Sequence, residues 1–402
     1  MIAQQLKVKS QERRRIQKSA VILASSFCLL ATIPFASVAQ TLPQEKKTIG
    51  KIESVASFNG PMPTGVTVSQ GGRIFVNFPR WGDKVDYTVA EVKNGRTVPY
   101  PNADINRPNT SRPSESFISV QSVVVDPQDR LWILDTGSIN FGPTSPGGPK
   151  LIGVDLKQNR IFKTIEFPQN VALPTTYLND IRFDLRRGQA GMAFITDSSD
   201  KGPNGIIVVD LASGKSWRRL NNHPSTKAVK DFLPSVEGQP LMNRPPNKPP
   251  SPIAIGADGI AISADGKRLF YCPLASRRLY SVSVDALANE QSEQQVAATV
   301  VDHGEKGGGS DGLESDSQNR IYATNYEQNA IYRRLPNGMY ETLVRDPRIL
   351  WPDTLSVAQD GYLYFTANQL HRQARYHNGK DLRDKPYSLF RTRINAKPVL
   401  LR

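Results

Sequence analysis

The sequence predicts an all-β chain, a six-bladed β-propeller with four antiparallel strands per blade. Three observations predict it: one phrase recurs six times, its strands alternate with a period of two, and no convincing amphipathic helix of length interrupts them. The propeller is assigned to residues 40–402 and a signal peptide to residues 1–39.

In the leader, Lys7, Lys9, Arg13, Arg14, Arg15 and Lys18 precede an apolar run from Ala20 to Phe35, and "SVA" before Gln40 offers the small residues a signal peptidase needs. A retained anchor is the rival reading; Pro34 and Ser25-Ser26 make the run short for the roughly 20 residues of a bilayer span. A secreted or periplasmic protein, with no stable membrane insertion after cleavage, is the expectation. The segment carries a net charge of +5, so its removal lowers the chain's +14 to about +9. Of the two cysteines Cys28 leaves with the leader, and Cys272 alone excludes an intramolecular disulfide. The protein must hold itself together by burial, for which the remaining 363 residues are ample. Its positive charges are scattered, without a basic helix or an Arg/aromatic ladder, so a nucleic acid is not an expected partner. The sequence leaves oligomeric state open.

Each blade is announced by a hairpin. The six are "TGVTVSQGGRIFVNF" from Thr64, "QSVVVDPQDRLWILD" from Gln121, "DIRFDLRRGQAGMAFITD" from Asp180, "DGIAISADGKRLFYCP" from Asp258, "DGLESDSQNRIYATN" from Asp311 and "DTLSVAQDGYLYFTAN" from Asp353. Alternation such as Ile260-Ile262 or Leu355-Val357 puts apolar side chains on one strand face. The "GG", "DG" and "QN" pairs supply residues that tolerate positive φ at the corner. Third strands follow, such as "KLIGVDL", "GIIVVDL" and "NAIYRRL", and sometimes a fourth, "RIFKTIEF". Anchor spacings of 57, 59, 78, 53 and 42 residues are too long and uneven for a β-helix, and a β-sandwich would not repeat one phrase. The widest gap holds the proline-rich "EGQPLMNRPPNKPPSPIAIG", expected as a long loop over one face.

The innermost strand of a propeller blade runs along the central channel, so a polar residue just before it points into the tunnel mouth. Thr64, Gln121, Asp180, Asp258, Asp311 and Asp353 are therefore expected to form one ring. Crowded carboxylates raise one another's pKa values unless a cation or hydrogen-bond donors intervene, and hard oxygen ligands suit Ca²⁺ or Mg²⁺. Gly307 to Gly309 would let the backbone enter the ring closely. The competing reading is structural: each Asp can simply accept backbone N–H groups, and Asp-Gly can be a turn.

Other motifs are sparse. No His-Glu-x-x-His pair exists, and "GEKGGGSDG" lacks a phosphate loop's ending. Cys272, Trp132, Trp217 and Trp351 are expected in blade packing, His303 in a solvated loop, and His371 over the same face as the mouth. Phe141, Asn325-Tyr326 and Trp351 lie at strand ends where they would line a pocket for a planar ligand.

The segments "RLWILDTGSIN", "PKLIGVDLKQNRIFKTIEFP", "YLNDIRFDL", "AFITDSSDKGPNGIIVVDLASGKSWRRL" and "DGIAISADGKRLFYCPLASRRLYSV" resemble the major royal jelly protein/yellow family in its bacterial form, over roughly Phe117 to Thr366. The resemblance implies a six-bladed, secreted propeller, with dopachrome conversion or the binding of small aromatic amines known for some insect members. Animal members usually carry a cysteine after "LDTG", which this chain lacks. A more distant similarity to gluconolactonase-type propellers, through "DGIAISADGKRLFY" and "SDGLESDSQNRIYATN", implies a divalent cation held by a first-blade glutamate and by later Asn and Asp residues. Carried over, Asp311, Asp258 and Asn179 match those metal positions, but Thr64-Gly65 stands where the glutamate should. The sequence thus supports an exported propeller that binds a small planar or aromatic ligand, with tautomerase-like chemistry at Asp311 and Asp258 and with Asn179, Asp180, Asp353, Asn325, Tyr326, Trp351 and Phe141 as ligand contacts. A Ca²⁺- or Mg²⁺-dependent lactonase is the alternative.

Overall fold

A computed structural model describes residues 48–144 and 146–402; the leader expected at residues 1–39 lies outside them. Six four-stranded antiparallel sheets form, and their innermost strands, beginning at Val66, Val120, Leu178, Ala257, Leu313 and Pro352, neighbour one another in a closed ring. The predicted propeller is therefore present. Blades 1 to 5 each take four consecutive long strands, as in Val120–Val125, Arg130–Thr136, Pro149–Asp155 and Arg160–Glu166 of blade 2. Blade 6 is assembled from both ends of the described chain. Its outermost strand is Ile52–Phe58, laid antiparallel against Tyr387–Arg393, a closure that the repeats gave no hint of.

The hairpin corners follow the turn chemistry read from the sequence. Gly72, Asp129, Gly266, Asn319 and Gly361 all adopt positive φ at the turn between the first and second strands. A polar residue three positions earlier fixes four of these corners. Asp126 accepts from Arg130 and from the Trp132 indole N–H (2.8 Å), and Asp316 accepts from Arg320 and from the Tyr322 hydroxyl (2.7 Å). Ser69 and Ser263 hold the backbone N–H groups of Arg73 and Arg268 in the same way.

Apolar strand faces meet between blades. Trp132 and Leu134 of blade 2 pack on Ile181, Phe183 and Ile195 of blade 3, and Leu355 and Phe365 of blade 6 join Tyr322 and Ile331 of blade 5. Cys272 is a buried free thiol in such a layer. Burial is extensive enough that even Lys150 is enclosed, where its ammonium meets Asp135 at 2.8 Å.

The two ends of the channel differ. At the lower end Pro398 bridges to Asp316, and the terminal segment Pro398–Leu400 lies over Arg182 and Glu314. At the upper end the proline-rich excursion forms two short ribbons, Ser235–Val236 with Gln239–Pro240 and Met242–Asn243 with Ser251–Pro252. Its Leu241, Ile253 and Ile255 pack with Leu370 and Tyr376 from the blade 6 connection. At the tip of the first ribbon Glu237 and Gly238 take positive φ, and Glu237 reaches Arg372 (2.5 Å) and His371 (2.7 Å). The expected long loop is thus a latched cover over the upper face. Among the described residues no helix is long and apolar enough to cross a membrane.

Candidate functional site

The heads of four inner strands are bulged. Register shifts fall between Val120 and Ser122, Leu178 and Ile181, Ala257 and Ile260, and Pro352 and Leu355. A bulge leaves a residue out of the ladder and re-aims its side chain, and the residues released are Gln121, Asn179 with Asp180, Asp258 and Asp353. Bulging thus places polar groups at the upper mouth.

Of the six ring residues, Gln121, Asp258 and Asp311 line one small chamber, joined by Asn179. The Asn179 amide N–H donates to Asp258 Oδ1. Asp258 and Asp311 are hydrogen bonded to each other, and the Trp351 indole N–H donates to Asp311 Oδ2 at 2.6 Å. Burial, then the negative charges of Asp311 and Asp353, push Asp258 well above the ordinary carboxylate range. Burial also pushes Asp311 up to about 6, although the Trp351 donor and the Asp258 hydrogen bond hold it lower than burial alone would. Burial and each other's proximity therefore keep this pair of acids from ionising together.

The other ring members are otherwise engaged. Asp353 is buried and takes a 2.6 Å bond from Asn368, and burial first, then the Asp311 charge, raises its pKa. Asp180 turns down the channel to Ser122 Oγ (2.8 Å) and Arg182 (3.0 Å), and Arg182 reaches on to Glu314 (3.4 Å). Thr64 is fully buried, donating to the Gln121 carbonyl and accepting from Asn77.

Glycine serves close packing here. A Cβ on Gly259 would lie 2.5 Å from the Asp311 carbonyl oxygen, and one on Gly312 would lie 2.3 Å from that of Asp353. The Asp-Gly pairs at 258–259 and 311–312 therefore let neighbouring inner strands touch; neither is a turn. In the Gly307–Gly309 run, Gly308 sits on the Asn325 side chain and Gly309 on Tyr326, whose ring atoms would be 2.1 Å from an added methyl. Because Tyr326 is fully buried and stacked on Trp351 at 4.2 Å, it cannot retreat. Gly309→Ala is expected to cost about 3 kcal/mol, read as a lowered melting temperature, whereas Gly60→Ala, with open space around it, leaves the melt unchanged.

Asn325, Tyr326 and Trp351 thus form the layer beneath the chamber, outside its lining. Trp351 is sandwiched between Tyr326 and His371 (5.8 Å), and this stack fixes the indole that serves Asp311. His371 does lie over this face, held by Glu237; His303 is instead on the outermost strand of blade 4, bonded to Ser281 Oγ at 2.8 Å. Phe141 does line the chamber. Its ring stacks on Tyr177 (4.5 Å) and Trp81 (5.1 Å), and Trp81 donates to the Tyr177 hydroxyl at 2.7 Å. Tyr177, Trp81, Arg375 and Tyr376 complete a wall that the sequence reading missed. One signal was present: Tyr177 stands two residues before Asn179 in "YLND", directly ahead of the same inner strand.

The chain's own donors decide whether a divalent cation of the gluconolactonase kind fits. The blade 1 position offers only a buried threonine whose hydroxyl is already bonded, the N–H₂ end of Asn179 faces Asp258, and the two acids share a hydrogen bond. Among the described residues no group of three His, Cys, Asp or Glu side chains is arranged to hold a metal ion. The set does not fit such an ion, which asks for six or more oxygens.

Residues 118–396 match the family model described as Major royal jelly protein. Over 246 residues the chain is 30% identical to protein yellow of Drosophila guanche, a match covering 57% of this chain and 40% of that protein. It is 28% identical over 186 residues to major royal jelly protein 7 of Apis mellifera, covering 45% and 38%. The matches thus span less than half the length of these relatives. Solved structures of like fold include a calcium-binding protein, regucalcin, from Agrobacterium tumefaciens (TM-score 0.53, 15% identity, 87% of this chain and 98% of that one). Another is a gluconolactonase from Xanthomonas campestris (TM-score 0.51, 11% identity, 86% and 89%). At these identities the likeness is one of fold alone. The match to the family model over more than half of its residues places the chain in the major royal jelly protein family.

Proposed function

We propose that this protein is an exported propeller that binds a small planar, aromatic ligand at the upper mouth and moves a proton on it. The observation that carries the reading is the hydrogen-bonded Asp258–Asp311 pair beneath a cluster of aromatic rings, Tyr177, Trp81 and Phe141. Aromatic walls take a ring face to face, and two acids with separated affinities divide the roles of base and acid. Asp311 takes a proton from the ligand, and Asp258 returns its own at another position. Transfer along their hydrogen bond then restores the starting state, so the ligand is isomerised with no net change in atoms or charge. Export is supported by the basic and apolar pattern of the leader.

Turnover requires Asp311 ionised and Asp258 protonated, so the rate should rise as pH passes about 6 and fall again at a higher value set by Asp258. The test is calorimetric titration with catechol and indole amines, together with the decay of dopachrome absorbance. Binding and a catalysed decay are expected, with Asp311→Asn and Asp258→Asn each losing about 100-fold or more in rate. No heat with any of these probes, or full activity in both variants, rejects the reading.

A further inference from the structure

Two spaces meet at the upper mouth. The outer vestibule encloses about 530 Å³ beside Gly82, Asp200 and Arg383. The inner chamber over Asp258 and Asp311 offers about 30 Å³, the share of one water molecule and too little for any ring. Trp81, Phe141, Gln373 and Arg375 line both, so they are the partition.

We propose that Phe141 is a built-in placeholder, its ring filling the aromatic niche against the adjoining Trp81 and Tyr177 rings that a planar ligand occupies once Phe141 swings into the vestibule. This rests on, and deepens, the reading of the mouth as an aromatic-ligand site. The slot has the form of a ligand cage: Tyr177 stacks on one part of the Phe141 ring at 4.5 Å and 25°, Trp81 on another at 5.1 Å and 22°, and the Arg375 guanidinium caps it at 5.3 Å. The walls are pinned without Phe141. Trp81 donates to the Tyr177 hydroxyl, Tyr177 donates to Gln121 Oε1 at 3.1 Å, and Arg375 lies over Tyr376 at 5.2 Å and donates to Asn243. Phe141 is held less well. It is only partly buried, and it follows Asn140 in a second successive left-handed conformation, φ +56° after +53°, which a bulky side chain disfavours. Departure of the ring joins the two spaces and leaves the Tyr177, Trp81 and Arg375 walls in place above the acids. A ligand must displace Phe141 to bind, so its apparent affinity is reduced by the fraction of time the slot is open.

Indole is the probe. Phe141→Ala is expected to bind indole about tenfold more tightly than the native protein by calorimetry, and saturating indole should restore most of the melting temperature that the variant loses, as apolar guests do in emptied cavities. Phe141→Leu, which keeps apolar bulk without a stacking face, should show a smaller gain in the same direction. Equal or weaker indole affinity in both variants overturns the proposal. The double variant Phe141→Ala/Asp311→Asn separates the two readings: the slot still captures indole there even if the acids move no proton, whereas loss of capture there counts against the slot.

Discussion

Replacing Asp311 with asparagine is expected to make the protein more stable at pH 8 and to leave it unchanged at pH 4. Burial raises the folded-state pKa of this carboxyl from 3.8 to about 6. A raised acid binds its proton more tightly when folded, so its contribution is neutral below the unfolded value and turns unfavourable as pH rises through the folded one. Ionising a carboxyl held that far above its ordinary range costs the folded state about 3 kcal/mol at most. The cost is fully felt only above pH 6, and coupling to Asp258 spreads it over the pair. An asparagine keeps an oxygen for the Trp351 indole N–H and removes the negative charge beside Asp258. Melts between pH 4 and 8 should show native and variant curves diverging upward from about pH 4. A variant less stable than the native protein at pH 8 would mean that the acid pair contributes to folding, and the case for a strained proton-transfer site would go with it. The expected gain in stability with loss of turnover is the usual signature of a group retained for function.

What the sequence disclosed, and what it hid, follows from the range of the interactions. Hairpin corners were legible because positive φ at Asp129, Asn319 and Gly361 is a local demand met by local residue choice. The Asp258 and Asp311 positions were legible because a repeat fixes the head of each inner strand. The role of the glycines in Asp258-Gly259 and Asp311-Gly312 was hidden: each answers to a backbone carbonyl of the next blade, about 40 to 50 residues on, which no local rule contains. Bulges turned Asn179 into the chamber and sent Asp180 toward Arg182, a division that strict alternation cannot foresee. The chamber wall was hidden for the same reason, since Trp81, Phe141, Tyr177 and Arg375 come from four separate segments that only ring closure brings together.

The largest effect is expected from removing the described chain up to Phe58. Ile52–Phe58 was not recognised in the sequence because it has no hairpin partner nearby; its partner strand, Tyr387–Arg393, lies at the far end of the chain. Without it, blade 6 presents an open ladder edge, and closure by chain ends of opposite origin is lost. Phe58 packs edge to face on Phe78 of blade 1 at 5.7 Å, Arg391 pairs with Glu53 at 2.8 Å, and the backbone N–H of Gly50 reaches the Leu343 carbonyl of blade 5. One strand therefore joins three blades. Six ladder partners at about 1 kcal/mol per hydrogen bond and a buried phenylalanine at about 3 kcal/mol together approach the whole net stability of a domain, about 5 to 15 kcal/mol. The truncated protein should fail to give a cooperative thermal transition and should associate through its exposed edge, visible as high-mass species in size-exclusion chromatography. A peptide covering residues 48–58, supplied in excess, should restore monomer and transition together. A truncated chain that melts cooperatively within a few degrees of the native one would show that the sixth blade closes on three strands, and that the terminal strand is an ornament on an already complete ring.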